Sequence, residues 1–214
     1  MVKELFVRVD DYSHTRTRIL VEFSEEVLDL FRCVLAYGGD PNTIVGPGLR
    51  DYALLHLVAY CGDARAVDVA SWLLDAGADV NAKCNPKNAA GRSPLSWAIS
   101  LCDWGAEEAQ EWTALERGYV HAMAAFLIER GANVPEAQWD YLIANDSHPG
   151  TLSFCEILTE QIKDARRESP WPPGGITRDA HIARLEDLIQ RIQADLEAEV
   201  QAALISASAL SSNV

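Results

Sequence analysis

Three times along the chain an apolar stretch runs into a glycine and a short polar signature: Gly38-Gly39-Asp40-Pro41-Asn42, Gly77-Ala78-Asp79-Val80-Asn81 and Gly131-Ala132-Asn133-Val134. The stretches that precede them are Phe31 to Tyr37, Trp72 to Ala76 and Phe126 to Arg130. Glycine takes the left-handed conformation that closes a helix, and the polar residue after it can hydrogen-bond the next turn. One such signature ends one helix. Three of them, tens of residues apart, imply units that cannot each bury an apolar face and must stack on their neighbours.

Within this frame, Leu54-Leu55-His56-Leu57-Val58-Ala59-Tyr60-Cys61-Gly62-Asp63 followed by Trp72 to Asn81 resembles one whole ankyrin repeat. Ser93-Pro94-Leu95-Ser96-Trp97-Ala98 resembles the family's Thr-Pro-Leu-His opening, with Ser93 as N-cap and Pro94 fixing the first helical φ. The resemblance implies that His56 hydrogen-bonds across successive turns; Ser96 stands in its place in the next unit. The intervals are 39 residues from Gly38 to Gly77 and 54 from Gly77 to Gly131, against about 33 for ankyrin repeats, so both hold insertions. The expected organisation is an N-terminal cover over 1–23, a repeat domain over 24–167, a Pro/Gly linker over 168–176 and a C-terminal helix with a frayed tail over 177–214. Within the domain, an incomplete repeat over 24–42 precedes whole repeats over 43–81 and 82–134 and a degenerate fourth over 135–167. The expected fold is an all-α, short ankyrin-type helical solenoid with β-turn fingers.

At 214 residues and 49% hydrophobic content the chain can bury one sizeable core. Its net charge of −14 argues against a nucleic-acid binder, since neutralising phosphates needs a basic face. Cys33, Cys61, Cys84, Cys102 and Cys155 are odd in number and scattered, which reads as reduced, mostly buried thiols of a cytoplasmic or nuclear protein, with Cys84 in a polar loop. Met1 to Asp10 carries charges where a signal peptide needs an apolar run, and Ala122 to Ile128 is too short for a membrane span.

Two segments depart from the family pattern. In the third repeat, Cys102 to Glu116 stands where the family has a short turn, and Trp112, Leu115, Tyr119, Met123, Phe126 and Leu127 follow at spacings that predict a continuous helix from near Glu107 to Arg130. Such a helix is about 35 Å long and overhangs the array, exposing Trp112 and Leu115; Trp104 adds to the same area, and the three form a second candidate interface. After the breaker Ser169-Pro170-Trp171-Pro172-Pro173-Gly174-Gly175, His181 to Ala203 reads as a long helix with Ile182, Leu185, Ile189, Ile192 and Leu196 on one stripe. This helix either caps the array, packing on the overhang, or pairs with a second copy as a homodimer; a monomer is the expected state.

No nucleotide-binding, hydrolase or metalloprotease motif is present, and adjacent pairs such as Glu107-Glu108 diverge on a helix instead of converging on a substrate. No catalytic residue, metal ligand or cofactor is assigned. The finger Ala82 to Arg92 holds Lys83, Lys87 and Arg92 and no acidic residue. The resemblance implies that fingers and neighbouring helices line the binding face, which makes Arg50, Lys83, Lys87, Arg92 and Trp97 the candidate partner contacts. The expected function is non-catalytic protein binding, as an adaptor, inhibitor or effector, with no nucleic-acid or membrane ligand. The alternatives are a hydrolase or transferase on a diverged repeat scaffold, and an acidic decoy of a nucleic-acid-binding protein.

Overall fold

The computed structural model describes residues 25–45, 52–59, 65–84, 91–100, 114–145, 152–168 and 176–211. Among these the fold is all-α. Its helices are α1 (Glu25–Ala36), α2 (Leu54–Ala59), α3 (Ala66–Asp75), α4 (Pro94–Ser100), α5 (Ala114–Glu129), α6 (Val134–Asn145), α7 (Phe154–Arg167) and α8 (Arg178–Ser211). One two-residue antiparallel ladder, β1 (Ile44–Val45) with β2 (Tyr52–Ala53), pairs Ile44 with Ala53 and Val45 with Tyr52 where the turn signal Gly46-Pro47-Gly48 predicts a first finger over Thr43 to Asp51. The N-terminal segment 1–23 lies outside the described residues.

Helix pairs α2/α3 and α4/α5 pack as hairpins, and the hairpins stack in two rows. One row runs α2, α4, α6; the other runs α1, α3, α5, α8. The core lies between the rows. All six residues of α2 are buried, and Val69, Leu73, Leu95, Ile99, Met123 and Leu127 meet them from the helices around.

The three glycine signatures close three helices in the same way. Gly38, Gly77 and Gly131 have φ of +80°, +96° and +91°. The N–H of each donates to the carbonyl three residues back, and the next residue's N–H to the carbonyl five back: Gly39 to Val34 (2.8 Å), Ala78 to Leu73 (2.9 Å) and Ala132 to Leu127 (2.9 Å). This double bond pattern is the Schellman closure, which satisfies carbonyls that a helix end leaves open.

Asparagines then tie one closure to the next. Asn42 Nδ2 donates to the Gly77 carbonyl (3.1 Å) while its Oδ1 accepts from the Asp79 N–H (2.9 Å). Asn81 repeats this on the third closure, donating to Gly131 (3.4 Å) and accepting from the Asn133 N–H (2.8 Å). Asp40 and Asp79 brace these asparagines by accepting their backbone N–H groups, both at 2.9 Å. Where the third signature has Val134 and Pro135 the ladder stops, and Asn133 turns to capping α6 through the Glu136 N–H (3.1 Å).

Ions staple the second row. Arg65 at the start of α3 meets Glu25 of α1 at 3.0 Å, Arg130 after α5 meets Asp75 of α3, and Arg191 of α8 meets Glu129 of α5. Arg32 of α1 also lies over the Trp72 ring, 4.2 Å from its centroid.

The C-terminal helix is longer than the periodicity suggested. It begins at Arg178, with the Thr177 hydroxyl accepting from the Ala180 N–H, and continues to Ser211, so the helix takes in residues 204–211 of the expected tail, the last three lying outside the described residues. It packs against α5, α6 and α7. The buried stripe is His181, Leu185, Leu188 and Ile192; Ile182, Ile189 and Leu196 flank it, half-buried. The predicted stripe is therefore rotated slightly, because a helix lying in the groove between others buries more than one seam. Helix α7 opens on a capping box, Ser153 and Glu156 each satisfying the other's backbone N–H. Of the expected third-repeat helix, residues 114–129 are seen; its predicted start near Glu107 lies outside the described residues.

Cys33 and Cys155 are less buried than expected, Cys155 being half-buried on α7, whereas Cys84 lies in the expected loop. Cys33 is exposed on α1, and Cys84 is half-buried with its Sγ accepting from the Arg92 N–H at 3.1 Å.

Candidate functional site

The stem of the second finger organises one edge of the stack. Cys84 and Arg92 close it, the Cys84 N–H donating to the Arg92 carbonyl at 3.2 Å. That carbonyl is also 2.9 Å from His56 Nε2, so an imidazole on α2 fixes the entry to α4. His56 is buried, and burial pulls its pKa below the ordinary value against the opposing effect of the Arg92 carbonyl. The neutral tautomer that donates from Nε2 leaves Nδ1 as an acceptor without a hydrogen-bond donor among the described residues. Ser96, in the equivalent place on α4, turns inward: its hydroxyl donates to the Ser93 carbonyl at 2.8 Å, while the Ser93 hydroxyl caps α4 by accepting from the Ser96 N–H at 3.3 Å.

Three of the expected contact residues gather here. Arg92 lies 5.6 Å from the centroid of the Tyr141 ring of α6. Trp97 of α4 meets Tyr52 edge to face, with centroids 5.0 Å apart. Lys83 reaches across to α6 and pairs with Glu136 at 3.1 Å and with Asp140. The positive charge expected to stand free on this finger is thus partly neutralised within the chain. Arg50, Lys87, Trp104 and Trp112 lie outside the described residues, and Leu115 lies in α5 without a described side chain.

Residues that periodicity did not mark complete the edge. On α6, Val134, Ala137 and Tyr141 face the core, whereas Trp139 and Ile143 are 65% and 46% exposed. Glu136 and Asp140, the two carboxylates that hold Lys83, flank Trp139 on the same helix. A solvent-facing indole one turn from an isoleucine is an apolar anchor of the kind found at protein interfaces. Its sequence signal is weak, because α6 carries apolar residues on opposite faces and shows no clean amphipathic period.

For chemistry the arrangement offers little. Among the described residues no group of three or more His, Cys, Asp or Glu is placed to hold a metal ion, and no helix is long and apolar enough to cross a membrane. His121 and His181 come together, yet both are buried where α5 meets α8.

Residues 51–85 match the family model for the ankyrin repeat. The matched segment holds β2, α2, α3 and the second glycine closure. No curated protein and no solved structure matches the chain.

Proposed function

We propose that this chain is a non-catalytic protein-interaction module: a short ankyrin-type solenoid that binds a partner protein along its finger edge. The observation that carries the reading is the exposed Trp139 and Ile143 beside the stem that holds Lys83, Arg92 and Trp97. Ankyrin repeats are protein-interaction units, and the match at 51–85 supports a binding role for the array around it. Arg50 and Lys87 join the candidate contacts on the family resemblance alone. Lys83 then has two roles, holding the finger to α6 and offering charge at the rim. The module acts inside the cell as an adaptor, inhibitor or effector, in keeping with the free thiols of Cys33, Cys84 and Cys155.

The test is affinity capture of the partner, followed by binding measured at several salt concentrations. Replacing Lys83, Lys87 and Arg92 together by Glu, with unchanged circular dichroism, is expected to weaken binding at least tenfold and to flatten its salt dependence. Replacing Trp139 by Ala is expected to weaken it without altering the salt slope. Full affinity in both variants would remove this edge from the hypothesis.

A further inference from the structure

Helix α8 has two parts with different surroundings. Over Arg178–Leu196 it lies against α5, α6 and α7 and buries His181, Leu185, Leu188 and Ile192. From Glu197 to Ala209 every residue is exposed, including Val200 (58%), Leu204 (58%) and Ile205 (68%). At 1.5 Å per residue the stretch from Glu197 to Ser211 projects about 20 Å beyond the body. A free helix of that length is marginal in water, but this one is already nucleated by the packed turns before it and carries Ala198, Ala202, Ala203, Ala207 and Ala209.

Its apolar face continues the one that seats the helix on the body, since Leu196, Val200 and Leu204 follow at steps of four. The charge pattern is as uneven as the burial. In a chain of net charge −14, residues 200–214 contain no Asp, Glu, Lys or Arg. A protein partner recognised by charge has nothing to read there, whereas a second copy of the same segment meets its like without ionic repulsion. The Ile182–Ile192 stripe that could have formed a dimer seam is occupied within the chain, so pairing is left to the projecting turns.

We propose that the projecting end of α8, residues 200–211, is a self-association surface on which a second copy of this chain docks its own 200–211 in antiparallel order. The antiparallel order follows from electrostatics: it sets the two acidic bodies at opposite ends of the pair and opposes the helix dipoles, whereas a parallel pair crowds both bodies at one end. One short helix pair is a small interface, so the dimer is weak and concentration-dependent.

Sedimentation of the full chain tests this. The weight-average mass is expected to move from one chain towards two as concentration rises from about 5 to about 500 µM, the range over which a small, weak interface reports. Val200→Glu and Leu204→Glu, both at exposed positions that leave the fold intact, are each expected to raise the dissociation constant at least tenfold. With Cys33 replaced by Ser, a Val200→Cys chain mixed with a Ser208→Cys chain is expected to cross-link to each other more readily than either to itself. A wild-type mass of one chain at 500 µM overturns the proposal, as does a dimer unmoved by both glutamates. Preferential V200C self-linkage overturns the antiparallel order. Loss of finger-edge binding in the triple Glu variant leaves this self-association unchanged, so the two readings fail separately.

Discussion

The imidazole rings of His121 on α5 and His181 on α8 stand 5.0 Å apart, tilted by 48°, and both are buried where the first turns of α8 meet the stack. Burial, reinforced by His181 and by Arg184, lowers the His121 pKa to about 3. His121 is therefore neutral in the fold and would ionise near 6.5 in the unfolded chain. Because the unfolded state binds more protons between these values, stability is complete above pH 6.5 and falls as pH drops towards 3, at a slope of roughly 1.4 kcal/mol per pH unit. The measurement is the urea midpoint at pH 7.5 and pH 5. His121→Leu is expected to shrink the difference between them, with the part due to His56 remaining.

Gly77 separates conformational strain from crowding. An added Cβ would meet nothing within 4 Å, so the only penalty for a larger residue is the left-handed φ of +96°. Gly77→Ala is expected to cost about 1–2 kcal/mol and Gly77→Asn distinctly less, read from denaturant unfolding. Equal effects of the two would show that the closure relaxes to another shape.

His56 is the one side chain on α2 that hydrogen-bonds to the stem of the second finger, among the bonds described. His56→Ala leaves the Arg92 carbonyl short of a donor and opens a cavity in a fully buried helix. A loss of about 2–4 kcal/mol is expected. Amide exchange at Cys84 should accelerate, because its N–H shares that carbonyl.

The asparagine ladder predicts a smaller and periodic effect. Asn81→Ala removes two exposed hydrogen bonds between closures, as Asn42→Ala does, and each is expected to cost about 1–2 kcal/mol. The two sites share Asp79, whose N–H donates to Asn42 and whose carboxylate accepts from the Asn81 N–H, so the double variant should depart measurably from additivity in the same unfolding assay.

Removing residues 176–214 takes α8 from α5, α6 and α7 and uncovers apolar surface on all three. Raised binding of a hydrophobic dye and lower solubility are expected. An unchanged unfolding midpoint would show that α8 is only loosely docked.

Much of this fold could be read from residue types whose role is local. Glycines 38, 77 and 131 and the Ser93-Pro94 start fix helix ends by backbone conformation and capping, which depend on few neighbours, and these ends stand where the pattern set them. The capping box of α7 was equally local, in Ser153 and Glu156, and marks a boundary that apolar periodicity alone passed over. The edge of the stack was harder. Lys83 looked like free charge because its partners, Glu136 and Asp140, lie more than fifty residues away, and nothing local announces a salt bridge across that separation. Trp139 was hidden for the opposite reason: on a helix with apolar residues on opposite faces, an aromatic residue looks like core until the packing of α6 shows which face the stack uses.

The closures also determine what this chain tolerates. Asn42 finds Gly77 across 35 residues, and Asn81 finds Gly131 across 50, with the same pair of bonds. The spatial step between closures is thus independent of how much chain lies between them, and lengthening a flexible loop twofold costs only about 0.6 kcal/mol of closure entropy. Helices α4 and α5 lie between rungs that hold their own spacing, so the register at Ser100 and Ala114 is set by the closures on either side and not by the length of chain joining the two helices.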